Sequence, residues 1–115
     1  MTVTIYHNPR CTKSRETLAL LRERGIEPSV VEYLRTPPDA ATLERLLGQL
    51  GLEPRQLMRR KEAPYKELGL DDPARSRAEL IAAMVANPVL IERPIVVKDG
   101  KAALGRPPEA VLAIL

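Results

Sequence analysis

The 115-residue sequence has no tryptophan and no phenylalanine, and it contains one cysteine, Cys11, and one histidine, His7. A single cysteine excludes an internal disulfide, and one Cys with one His falls short of the ligands a zinc site needs, so no metal is expected. No apolar run approaches the roughly 20 residues that cross a bilayer, and the N-terminus lacks the basic-then-apolar pattern of a signal peptide. The sequence therefore predicts no membrane partner and a reducing, cytoplasmic setting that suits a free thiol. The shortage of aromatics leaves little to stack on bases, and basic residues are interspersed with acidic ones, which argues against nucleic-acid binding.

The chain is long enough for one domain with a real core, spanning residues 1–115. Its hydrophobic fraction is 44% and its net charge is +3, but thirteen of the eighteen cations are arginine. Arginine offers a planar, permanently charged fork suited to carboxylates and tetrahedral oxyanions, so small-anion recognition ranks above nucleic acid.

The most informative stretch runs from Tyr6 to Arg15. Thr2-Val3-Thr4-Ile5-Tyr6 has strand composition, Asn8-Pro9 signals a turn, and from Ser14 onward Leu18 and Leu21 recur at helical spacing. Cys11 is thereby predicted at a helix N-terminus, where unpaired N–H groups and the helix dipole favour a thiolate and attract an oxyanion. Arg10, Lys13, Arg15 and His7 add cationic or proton-sharing groups. Ser14 completes a Cys-x-x-Ser pattern, readable as part of the chemistry or as a hydroxyl that satisfies helix N–H groups.

Gly25 reads as the helix terminator, and residues 28–33 as a second strand parallel to the first through a right-handed crossover. Asp39 should cap a helix over residues 40–50, where Leu43, Leu46, Leu47 and Leu50 form one apolar face, with Gly51 ending it. Short helical turns are expected between Pro54 and Ala74. Ser76-Arg77-Ala78-Glu79 is a capping-box signature for a helix ending near Asn87-Pro88. Residues 91–97 enter a buried strand, Asp99-Gly100 turns the chain into a short partner strand, and a final helix opens at residues 105–109. The resulting order is that of an α/β, thioredoxin-like fold: a four-stranded mixed sheet flanked by helices, with a helical insertion at about 39–88.

The sequence resembles the glutaredoxin-coupled arsenate reductases. The matching segments are Ile5-Tyr6-His7-Asn8-Pro9 with Cys11 and Ser14-Arg15, then Tyr33-Leu34 with Pro37-Pro38, Leu57-Met58-Arg59 with Pro64-Tyr65 and Leu68-Gly69-Leu70. Asn87-Pro88, Ile91-Glu92-Arg93-Pro94-Ile95-Val96-Val97 and Gly105-Arg106-Pro107 complete the set. The resemblance implies Cys11 as nucleophile, Arg59, Arg93 and Arg106 as anion ligands, His7 as the group that lowers the thiol pKa, and Pro94 as a cis-proline beside the cysteine. Ser14 joins the catalytic set and Arg15 the oxyanion-binding set. It also implies arsenate or a related oxyanion as substrate, glutathione as co-substrate, glutaredoxin as partner and no tightly bound cofactor. Thr12-Lys13 stands where well-characterised members have Gly-Thr, as in a short, Lys-bearing subgroup, and Arg60 beside Arg59 leaves two candidates for the second arginine. Two other readings keep the fold: a monothiol glutaredoxin-like oxidoreductase, and a redox-responsive regulator of the Spx type that binds RNA polymerase. The first has no need of three arginines, and Ser14 removes the Cys-x-x-Cys switch common in the second.

Overall fold

Val3 and Ile5 alternate with Thr4 and Tyr6, and this period of two gives β1 (Val3–Tyr6) one buried face. The computed structural model describes residues 2–115. β2 (Ser29–Val31) runs parallel to β1, with Val30 opposite Ile5, and β3 (Ile95–Lys98) runs antiparallel on the other side, with Val96 opposite Ile5. β4 (Lys101–Leu104) completes a mixed sheet in the order β2-β1-β3-β4. Asp99 and Gly100, at φ 50° and 78°, join β3 to β4 in the left-handed pair of residues that a type I′ hairpin demands.

The crossover from β1 to β2 is α1 (Thr12–Glu23), closed by a Schellman motif: Gly25 sits at φ 76°, its N–H donates to Arg22 O at 2.9 Å, and Ile26 N–H donates to Leu21 O at 3.0 Å. β2 is shorter than predicted because the carbonyl of Glu32 accepts the N–H groups of Arg35 and Thr36, both at 2.9 Å, and turns the chain. β3 also starts later than predicted. Ile91 instead forms an isolated bridge with Met58, Glu92 N–H donates to Leu57 O at 2.8 Å, and Pro94 has no N–H to give a ladder. The last element is a 3-10 helix, Pro108–Ile114, rather than the ordinary helix expected. Pro107 and Pro108 remove two donors at its start, and its end bonds span three residues, from Ala110 N–H to Pro107 O and from Leu115 N–H to Leu112 O. Val3, Ile5, Leu21, Val96 and Val111 form the core under these elements, with Ile114 and Leu115 packed against it.

The chain divides into two compact units, Met1–Thr36 with Arg93–Leu115, which holds the sheet, and Pro37–Glu92, which is helical. In the helical unit, α2 (Ala40–Leu50) is capped by Asp39, whose carboxylate accepts Thr42 N–H at 2.8 Å, and it ends at Gly51 with φ 68°. A 3-10 turn (Pro54–Leu57) and α3 (Ala63–Glu67) follow. α4 (Arg77–Ala86) starts with the predicted capping box, in which Glu79 N–H donates to Ser76 Oγ and Ser76 N–H to Glu79 Oε1, each at 3.1 Å. Leu43, Leu46 and Leu47 of α2 and Leu80, Ile81 and Met84 of α4 are buried where the two helices pack. No helix among the described residues is long and apolar enough to cross a membrane.

Candidate active site

Cys11 is the N-cap residue of α1, with extended backbone angles of φ −96° and ψ 124°, and it is 8% exposed. Its sulfur makes no tight capping hydrogen bond, but it lies at the end of the helix where the first N–H groups have no partner within the helix. Burial pushes the thiol up. The N–H of Ser14, the charge and hydrogen bond of Arg93 and the N–H of Lys13 together outweigh that cost and hold the thiol below its ordinary range. Cys11 is therefore a buried thiol whose neighbours favour its anion by more than burial opposes it.

Arg93 comes to the thiol from two residues before β3, where the Arg93–Pro94 peptide bond is cis. Arg106 follows β4, and its Nη1 donates to the carbonyl of Arg93 at 3.3 Å. The two arginines thus occupy adjoining ends of the β3–β4 hairpin, and Gly105 N–H donates to Pro94 O at 3.0 Å. The Arg106–Pro107 bond is also cis, which the sequence reading did not anticipate. Gly105 is a point of close approach: a Cβ there would lie 2.5 Å from Thr17 Oγ1 and 2.7 Å from Pro94 Cγ. The sequence reading missed Thr17 too. It is fully buried on α1, donates to Lys13 O at 2.8 Å, and fixes how near the Pro94 segment comes to the helix. The only sequence signal for this contact was a glycine directly before Arg106-Pro107.

His7 and Ser14 form a buried pair, 6% and 0% exposed, with Nδ1 and Oγ 2.6 Å apart. Burial, with help from Arg22 and Arg15 and against the pull of Glu32, lowers the His7 pKa and so favours the neutral ring. The hydrogen bond of His7 runs to Ser14, and Ser14 offers its own N–H toward the thiol, so any influence of His7 on Cys11 passes through the first turn of α1. Ser14 Oγ also accepts Asn8 N–H at 3.0 Å. Asn8 returns its carbonyl to Cys11 N–H at 3.0 Å and its Oδ1 to Arg10 N–H at 3.0 Å. Asn8, legible in the sequence only as a turn former, is thus the knot of the loop. Arg15 is exposed and braces the same loop, donating to Pro9 O at 2.9 Å and to Thr12 Oγ1 at 3.3 Å.

The remaining predicted arginine belongs to the helical unit. Arg59 is half-buried there, its guanidinium paired with Glu62 and lying 3.9 Å from Glu92, and its N–H donates to Leu90 O at 2.7 Å. Its neighbour Arg60 is exposed. Among the described residues, no group of three or more His, Cys, Asp or Glu is placed to hold a metal ion.

A mixed sheet in this order, with a lone thiol at the start of α1 and a cis-proline before β3, defines a thioredoxin-like protein built around one cysteine and an arginine. Residues 6–114 match the model of the ArsC family, and the chain belongs to that family. It is 64% identical to an uncharacterised Escherichia coli K12 protein, YfgD, over 98% of this chain and 96% of that one. It is 56% identical to an arsenate reductase of Rhizobium meliloti, over 100% of this chain and 82% of the relative. A solved structure described as arsenate reductase from Vibrio cholerae superposes with a TM-score of 0.98 at 59% identity, covering 100% of this chain and 98% of that one.

Proposed function

We propose that the chain reduces arsenate to arsenite, with Cys11 as nucleophile and outside thiols as the electron source. The observation that carries this is the lowered thiol of Cys11 against Arg93 at a helix N-terminus, where an anion and a thiolate are both favoured. The name arsenate reductase borne by the Rhizobium meliloti and Vibrio cholerae proteins supports the choice of oxyanion. In the first step Sγ bonds to arsenic and one arsenate oxygen leaves as water. Two outside thiols then supply the electron pair that takes As(V) to As(III), ending as one disulfide, while the bond from Sγ to arsenic breaks and arsenite leaves.

Glutathione and glutaredoxin are the proposed donors, in the reducing cytoplasm. Arg93 and Arg106 are the proposed anion ligands, each a forked donor for charge that develops on the adduct. Of the two adjacent arginines in the helical unit, Arg59 is held in place by Glu62 and Glu92 while Arg60 is exposed. We assign Arg15 positive charge and loop support, since two of its nitrogens are engaged by Pro9 and Thr12. His7 and Ser14 orient the first turn of α1. The test is arsenate-dependent NADPH oxidation coupled through glutathione reductase, glutathione and glutaredoxin: the native chain turns over and Cys11→Ser does not. Sustained turnover by Cys11→Ser would falsify the mechanism.

A further inference from the structure

Thr17 puts a hydroxyl on a helix face where packing alone would favour an apolar side chain. It lies with Ser14 and Leu21 on the buried side of α1, is itself fully buried, and carries the β-branching that a helix position disfavours. Its hydroxyl donates to the carbonyl of Lys13 at 2.8 Å, one turn back along the helix. The bare backbone of Gly105 closes over this side chain: a Cβ at residue 105 would lie 2.5 Å from Thr17 Oγ1 and 3.1 Å from its Cγ2. A larger residue at 105 would therefore press on the hydroxyl itself.

The Lys13 carbonyl belongs to the peptide group whose other end is the N–H of Ser14. Because Cys11 is the N-cap of α1, Lys13 and Ser14 are its second and third helical residues, the positions whose N–H groups face an N-cap side chain. The N–H of Ser14 is also the foremost of the groups that favour the Cys11 anion. We infer that Thr17 is a positioning residue for the reacting thiol: its hydroxyl polarises the Lys13–Ser14 peptide, so that Ser14 presents a stronger and better fixed N–H to Cys11 Sγ. Hydrogen bonds at the two ends of one peptide group reinforce each other, so Thr17 acts on the thiol without touching it. The inference rests on Cys11 as the reacting group for its purpose, but the titration of the thiol can be read without arsenate.

The test compares Thr17→Val, which keeps the shape and loses the hydroxyl, with Thr17→Ser, which keeps the hydroxyl. The pH midpoint of iodoacetamide alkylation should rise by about half a unit in Thr17→Val, a threefold change in the thiol–thiolate equilibrium or roughly 0.7 kcal/mol, and stay at the native value in Thr17→Ser. The NMR shifts of the Lys13 carbonyl carbon and the Ser14 amide nitrogen should move in Thr17→Val and hold in Thr17→Ser. Thr17→Ala supplies the same readings should Thr17→Val not fold. A midpoint unmoved by loss of the hydroxyl, or raised equally in Thr17→Val and Thr17→Ser, would assign Thr17 to packing and overturn the inference. The rise should persist when Thr17→Val is combined with Arg93→Gln, because it runs through the peptide. Its disappearance there would mean that the hydroxyl acts by seating the Pro94 segment, and the peptide route falls. A native chain that titrates as expected and yet fails to reduce arsenate removes the proposed reductase and leaves the role of Thr17 standing.

Discussion

At the residue scale the central event is a contest at Cys11, where burial favours the neutral thiol while the α1 N–H groups and Arg93 favour the anion, and the net effect lowers the thiol pKa. The rate of iodoacetamide alkylation should therefore reach its midpoint below that of a free thiol, near 8.5, and Arg93→Gln should move the midpoint upward. An unmoved midpoint would remove Arg93 from the activation of the thiol. Arg93→Lys keeps the charge but loses the fork, so arsenate turnover should still fall, by the order of 10² found when one well-placed donor is deleted. His7 carries a separate expectation. Its pKa is lowered by burial in the folded chain, so the unfolded chain binds its proton first, near pH 6.5, and stability rises with pH through this window. The contribution is complete above about pH 6.5 and is lost as pH falls through the folded value. Urea midpoints measured from pH 7 down to 5 should decline in the native chain, and the decline should be shallower in His7→Gln.

At the element scale the site depends on how closely the Pro94 segment approaches α1, and Gly105 sets that distance. Gly105→Ala places a methyl group against Thr17 and Pro94, both of them buried, so one side must move at a cost of about 1–3 kcal/mol. Thermal unfolding should show the loss; an unchanged melting temperature would mean that the hairpin end yields freely. Away from the site, Ser76→Ala removes one half of the α4 capping box and should cost about 1 kcal/mol, with no effect on thiol alkylation. The elements with strong local signals were legible beforehand: α2 between Asp39 and Gly51, α4 behind Ser76 and Glu79, and the Asp99-Gly100 hairpin. Each is specified by residues within a few positions of one another. The ends of β2 and β3 and the form of the last helix were not legible, because Glu32, Ile91 and Glu92 bond to partners that local pattern does not name.

At the scale of the whole molecule, one cysteine in 115 residues imposes a stoichiometry. Arsenate alone should leave no more than one adduct per chain, seen by mass spectrometry of the intact protein, and multiple turnover should require added thiol. Multiple turnover without any added thiol would show another reductant at work. The placement of a lone cysteine at the start of a helix and the broad β-α-β, helical, β-β-helix order could be read from sequence alone, since they follow from composition, from caps and turns and from short-range periodicity. Tertiary structure decided the rest. It brought Arg93 to Cys11 across more than 80 positions, routed His7 to Ser14 instead of to the thiol, and made Asn8 and Gly105 the fixed points of the loop and the hairpin end. These outcomes turn on desolvation and on contact distances of a few ångströms between residues far apart in the chain, quantities that exist only once the core is packed.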